Sequence, residues 1–325
     1  MNGFERTTLL RRHGYSAQEA EFLCLAADAG GYFLRRHFRR FRGTTKTRAE
    51  AKLTHKLAAK GHARRYRGPR DLELFHLSAR SFYRLIGSSA SRNRRRRPES
   101  AIRRRLLTLD YLLANRGHRF LFHDAEKLSY LAGERDISRG ILPLTGSRFI
   151  DPQPVHVGPA SPDHPPVVSF CLVESKAFNM RRFRWFLDRH RPLWEQLRAF
   201  RLVYVTDRKW NSTLAEGPFR SFVQDHWHPT GPQKPTFREQ TIAAFKAQFA
   251  VQTGRESSLN VPDKILVRYV RDRLTNARFN ELYTTWVLTS DRCVYDLVPP
   301  DPSELWPAAS FSAHLIDADY GFLSP

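Results

Sequence analysis

The sequence predicts a mixed α+β protein in two parts, residues 1–120 and 121–325, and three observations carry that expectation. Nearly all the net positive charge sits in the first third: residues 1–120 hold 29 Lys/Arg against 9 Asp/Glu, a net +20, whereas residues 121–325 hold 25 against 23. Helical apolar stripes opened by capping boxes fill the first part, while the second contains short, wholly apolar runs of strand length. A chain of 325 residues is also long enough for two cores, at about 100–200 residues per domain.

Charge this lopsided points to a polyanionic partner, because self-repulsion gains a packed fold nothing. A hydrophobic fraction of 41% with 23 Phe excludes a disordered basic protein, which lacks the apolar surface to offset chain entropy. Cys24, Cys171 and Cys293 are odd in number, far apart and without a CxxC pair, so neither a disulfide framework nor a zinc ribbon is expected. No apolar run reaches signal-peptide or membrane-helix length, and a cytoplasmic location is expected.

Ser16-Ala17-Gln18-Glu19 reads as a capping box, and the helix it opens runs to Gly30-Gly31. A short helix is expected at Tyr32–Phe41, with phenylalanines inward and Arg35, Arg36, Arg39 and Arg40 outward. A second box, Thr47 to Glu50, opens a helix reaching about Lys60; Ala49, Leu53 and Leu57 form its apolar stripe. Lys46, Arg48, Lys52, His55, Lys56 and Lys60 are left for its other faces. Gly61 ends it, and residues 62–67 and 72–77 form a hairpin about a Gly-Pro-Arg-Asp turn. Three helices followed by a basic hairpin is the order of a winged helix-turn-helix. Its third helix would enter the major groove of double-stranded DNA, with Arg64, Arg65, Arg67 and Arg70 of the wing on phosphates or the minor groove. The other reading of these charges is the solvated face of an ordinary helical domain.

Arg92, Arg94, Arg95, Arg96 and Arg97 form a run beyond the hairpin. It reads either as a flexible phosphate-gripping arm or as a connection between helices that extends the same footprint through Arg103, Arg104 and Arg105. A helix at Ser100–Leu113, striped by Ile102, Leu106, Leu109 and Leu113, is a candidate homodimer contact.

In the second part, extended segments are expected at Arg148–Val157 and Val167–Val173, then a helix at Met180–Phe200 and a strand at Leu202–Val205. This β-β-α-β unit places Asp151 on one strand and Glu174-Ser175-Lys176 at the end of the next, the pattern of PD-(D/E)xK nucleases. There Asp151 and Glu174 would hold Mg²⁺ and Lys176 would polarise the attacking water. Asp151-Pro152 equally suggests a turn, and the Glu/Lys pair a solvated strand edge. His226-Trp227-His228 has no third ligand at fixed spacing, so no metal site is assigned. Otherwise no cofactor is expected. Helices are expected at Thr236–Gly254 and Pro262–Leu274, and loops over 305–325.

The block from Ser16 to Leu77, the segment Tyr83-Arg84-Leu85-Ile86-Gly87 and the unit from Phe149 to Val205 resemble the replication-relaxation family of plasmids and integrative elements. The resemblance covers about two-thirds of the chain and leaves residues 210–325 outside. It implies a winged helix joined to a nuclease-like domain and DNA binding in the service of a mobile element; the C-terminal domain is expected to serve protein contact or assembly. A metal-dependent endonuclease and a structured-RNA-binding protein are the alternatives.

Overall fold

The computed structural model describes residues 3–45, 48–67, 73–146, 148–150, 154–158, 167–197, 199–227, 236–254, 261–299, 308–318, 320 and 323. The fold is mixed α+β. It divides into two compact units, one formed by residues 1–220 together with 309–325, the other by 221–308.

The first unit begins with α1 (Gly3–Arg12) and α2 (Ala17–Asp28). The Ser16–Glu19 box is present: the Glu19 amide donates to Ser16 Oγ at 3.3 Å, and the Ser16 amide to Glu19 Oε2 at 2.7 Å. Next come β1 (Tyr32–Leu34), α3 (Arg35–Arg42), α4 (Arg48–Ala59), β2 (Ala63–Arg67) and β3 (Glu73–Leu77). The single helix expected over Tyr32–Phe41 is therefore a strand followed by a helix. Tyr32, Phe33 and Leu34 pair antiparallel with His76, Phe75 and Leu74, which closes a three-stranded sheet in the order β1-β3-β2. Hairpin register runs from Ala63 opposite Leu77 to Arg67 opposite Glu73. The turn at 68–72 and the Thr47 cap lie outside the described residues. Gly61, at φ +62°, supplies the left-handed step that ends α4.

Strand alternation makes this small sheet a partition between two cores. Phe33, Phe75 and Leu77 pack with Phe22, Leu23, Phe38, Leu53 and Leu57 of the helices. Tyr32, Leu34 and Leu74 point the other way, onto α6 (Glu99–Ala114). That helix, reached through α5 (Arg80–Leu85), is buried on both sides. Leu109, Leu112 and Leu113 join the first core, and Ile102, Leu106, Leu107 and Tyr111 the second. Full burial of each such leucine contributes about 2 kcal/mol. The stripe read as a candidate dimer contact is thus used within the chain.

Beyond α6 lie β4 (Arg119–Leu121), α7 (Asp124–Leu128), a π-helical turn at Ser129–Glu134, and a two-residue pair β5 (Leu144–Thr145) and β6 (Arg148–Phe149). They are followed by β7 (Val155–Val157), β8 (Val168–Glu174), α8 (Met180–Trp194), β9 (Ala199–Thr206) and α9 (Lys209–Trp227). The strand expected over Arg148–Val157 is split between β6 and β7. A five-stranded sheet runs β10-β9-β8-β7-β4, with β7 antiparallel and β9 parallel to β8. β10 (Ala308–Leu315) lies where loops were expected; its alanines and serines form a partly exposed edge that carries no aliphatic run.

The expected boundary at residue 120 is corrected by the second core. There Ile102, Leu106, Leu107 and Tyr111 of α6 pack with Cys171, Val173, Val203 and Val205 of the larger sheet and with Ile316, Tyr320 and Leu323. Charge changes at 120, but packing does not.

The second unit holds α10 (Phe237–Gln252), α11 (Val261–Leu274), α12 (Asn276–Thr289) and α13 (Arg292–Leu297) around Phe245, Val270, Phe279 and Val294. Asp225 to Trp227 close helix α9. Among the described residues no helix is long and apolar enough to cross a membrane.

Several histidines are buried neutral. Burial pushes His190 down to about 4 and His156 to about 3, the latter helped by His118 and Arg201. Unfolded histidine takes up its proton near 6.5. Below that pH the unfolded state binds protons that the folded state refuses, so each group removes up to about 1.4 kcal/mol of stability per pH unit until its folded pKa is reached. We expect urea midpoints that hold between about pH 7 and 8 and fall steadily from about pH 6.5 to 4. A His190→Phe variant should show a shallower fall; the same slope as the parent would show that His190 does not contribute.

Candidate nucleic-acid interface

The basic residues of the first 120 separate into two groups once their partners are visible. α3 looked outward from its sequence, yet its arginines face carboxylates from distant elements. Arg35 pairs with Glu73 of β3, Arg39 with Glu50 of α4 at 3.5 Å, and Arg36 and Arg40 with Asp110 of α6 at 3.3 Å each. Asp110 is the hub. His37 Nε2 lies 3.3 Å from Oδ1, and the Tyr320 hydroxyl donates to Oδ2. The Leu34 amide donates to His37 Nδ1 at 3.0 Å, which leaves the ring proton on Nε2. Burial would raise the Asp110 carboxyl, but the His37 and Tyr320 hydrogen bonds and the Arg36 charge overcome it and hold the group at about 2.

Lys56 belongs to this internal group too, against the expectation that it faces a ligand. Its Nζ ion-pairs with Glu19 Oε2 at 2.5 Å and donates to the Gly14 carbonyl at 3.0 Å. It locks α4 to the start of α2, because the capping-box glutamate has a second acceptor position to fill.

The other group remains on the surface. Arg48, Lys52 and His55 are exposed on α4, with Lys60 just past its end, and Arg64, Arg65 and Arg67 are exposed on β2. Arg65 is tempered by Glu73 at 3.1 Å. Lys46 and Arg70 lie outside the described residues. Helix and strand follow one another through Gly61, so the exposed cations form a run along one stretch of chain.

The arginine run is a connection, not a free arm. Residues 92–94 form a 3₁₀ turn between α5 and α6. Asn93 anchors it: its side-chain amide donates to the Ala27 carbonyl at 3.0 Å, and its own carbonyl meets His76 Nε2 at 2.7 Å. The Arg97 amide donates to the Tyr32 hydroxyl at 3.1 Å, and Arg96 lies over the Tyr66 ring of β2 at 5.2 Å. Arg92, Arg95 and Arg96 are exposed beside the hairpin, while Arg94 and Arg97 are half-buried. Arg103 is withdrawn altogether, its Nε 2.6 Å from the buried Asp207 that follows β9.

The nuclease pattern is not assembled among the described residues. Glu174 ends β8 at 3% exposure, and Arg182 of α8 donates to its Oε1 at 2.7 Å. Lys176 lies past the strand end, in a bend, with its side chain exposed. Its backbone carbonyl accepts from Asn211 at 2.7 Å. Lys176 therefore does not share a strand face with Glu174. Asp151 is outside the described residues. Among the described residues no three His, Cys, Asp or Glu side chains come together in a way that could hold a metal ion. Of the two expected Mg²⁺ ligands, only Glu174 is described, and its Oε1 is engaged by Arg182.

Comparison with protein-family models, with curated proteins and with solved structures returned no significant match.

Proposed function

We propose that this chain binds double-stranded DNA through α4 and the β2–β3 hairpin, in the manner of a winged helix, with the arginine turn at 92–97 extending the footprint. The observation that carries the reading is the order α2-β1-α3-α4-β2-β3 closing a β1-β3-β2 sheet, with exposed cations on the third of these helices and on the hairpin. Such a chain would act in a bacterial cytoplasm at the nucleoid, as a regulator, recruitment factor or replication or transfer accessory of a mobile element. Membership of the replication-relaxation family fits this role, with the C-terminal region making protein contacts. The test is fluorescence anisotropy at near-physiological salt on duplexes tiled across the gene's own neighbourhood, each against its scramble. A tile bound about 1,000-fold above its scramble is the expected mark of sequence reading. Tighter binding to structured RNA than to any duplex would replace this reading with the RNA one.

A second reading rests on the larger sheet. A helix followed by β4, β7 and β8, then α8 and a β9 parallel to β8, is the order expected of a nuclease-like core. We read it as a scaffold without hydrolytic activity, because Glu174 is held by Arg182. Duplex incubated with the chain and Mg²⁺ or Mn²⁺ is expected to stay intact. Cleavage that disappears in Lys176→Ala while binding persists would establish an endonuclease instead.

A further inference from the structure

A cavity of about 590 Å³ opens between the end of α2, the 87–93 turn, α6 and the corner at Phe122-His123. Its size is that of a small-molecule site, for which about 300–1,000 Å³ is usual. Arg97, Arg104 and Arg105 line it. The one carboxylate in the described lining, Asp28, is already neutralised: Arg6 grips both its oxygens at 2.8 and 2.9 Å, and His123 sits at 3.4 Å. Among the described lining residues, cationic side chains outnumber carboxylates.

Arg105 is built into position. It donates to the Gly30 carbonyl at 2.6 Å and to Asn93 Oδ1 at 3.1 Å, two neutral acceptors that fix the guanidinium without discharging it. Gly30 makes room for it: at φ +113°, a Cβ there would come within 2.5–2.8 Å of the Arg105 side chain. Burial is the main cause that lowers the Arg105 pKa; repulsion from Arg97 and Arg104 adds to it, and Tyr32 and Tyr83 oppose it. A bound dianion relieves that repulsion, and fixed donors bind it without first paying ordering entropy. Ser88, Ser89 and Phe122 also line it, and the Phe122 ring is stacked on Phe120 at 5.8 Å.

We infer that this cavity binds a phosphorylated ligand of nucleotide size, its phosphate on Arg97, Arg104 and Arg105 and its ring against Phe122. The inference does not depend on duplex recognition by α4 and the hairpin. The phosphate could belong to a free nucleotide or to the 5′ end of a DNA strand, since the recognising chemistry is shared.

Isothermal titration of the full chain with AMP, ATP and pyrophosphate at near-physiological salt tests it. One saturable site is expected for at least one of the three. Arg104→Gln and, separately, Arg97→Gln should each weaken it tenfold or more, while Phe122→Ala should weaken AMP but spare pyrophosphate. Arg67→Ala on the hairpin should leave all three unchanged while weakening duplex binding, which separates failure here from failure of the duplex reading. No saturable binding at about 1 mM ligand, or equal losses in Arg67→Ala and Arg104→Gln, would overturn the inference, the latter because bulk charge would then suffice. Displacement of AMP by a 5′-phosphorylated oligonucleotide, but not by its 5′-hydroxyl form, would identify the DNA end as the source of the phosphate. Displacement by neither would identify a free nucleotide.

Discussion

Changing Arg48, Lys52, Arg64 and Arg67 together to alanine is expected to flatten the salt dependence of duplex binding more than any other surface change in this chain. Each phosphate neutralised by a cation releases counterions and contributes about −0.9 to the slope of log K against log salt. About six contacts from α4, β2 and the arginine turn give a slope near −5, so the parent should lose roughly 1,000-fold in affinity between about 50 and 200 mM salt. With four contacts gone the slope should be near −2, and the same change in salt should cost about tenfold. These four side chains are exposed, and none forms an ion pair among the described residues, so their removal should leave the melting temperature nearly unchanged. Removing the exposed Arg181, Arg184, Arg189 and Lys209 instead deletes equal charge from another part of the chain. The slope should then stay near −5. Equal flattening in both variants would mean that net charge, not this surface, grips the duplex.

Asp110→Ala is expected to be the most destabilising single change in the buried polar network. The carboxylate is 3% exposed and meets His37, Tyr320, Arg36 and Arg40 at once. Deleting it strands two cations and two hydrogen-bond donors, and breaking a buried pair in this way costs about 3–5 kcal/mol. The arginines are about a third to a half exposed, so water will rescue part of their share; the His37 and Tyr320 contacts are not so rescued. Asp110→Asn keeps an acceptor for Tyr320 and should cost less. Urea unfolding followed by near-ultraviolet circular dichroism reads both, and a loss under about 1 kcal/mol for Asp110→Ala would show that the network does not hold the unit together.

Local signals were the legible ones. The Ser16–Glu19 box, the apolar stripe of α4, the hairpin at 63–77 and the β8-α8-β9 succession each depend on neighbours a few residues apart, where periodicity and capping speak directly. What stayed hidden depends on partners far along the chain. Tyr32–Leu34 reads as the start of a helix until His76 to Leu74 arrive to pair with it. Arg36 looks solvated because its acid is 74 residues away. The arginine-lined cavity draws its walls from four separate stretches, and no spacing rule connects them. Charge itself misled on the domain boundary, because net charge describes a surface, whereas α6 shows that cores are shared across that surface.

Chain order also sets an order of events during synthesis, because residues 309–325 belong to the first unit. Ile316, Tyr320 and Leu323 fill the second core beside α6, and β10 borders β9, but all of them leave the ribosome after the whole 221–308 unit has been made. For that whole interval α3 and α6 wait with Asp110 lacking its tyrosine and Leu106 lacking part of its cover. A nascent chain is therefore basic and incompletely closed until Ile316, Tyr320 and Leu323 emerge. Ribosomes that stall within the inserted helices would release fragments that carry the cations of α4 and β2 without Ile316, Tyr320 and Leu323 in the second core.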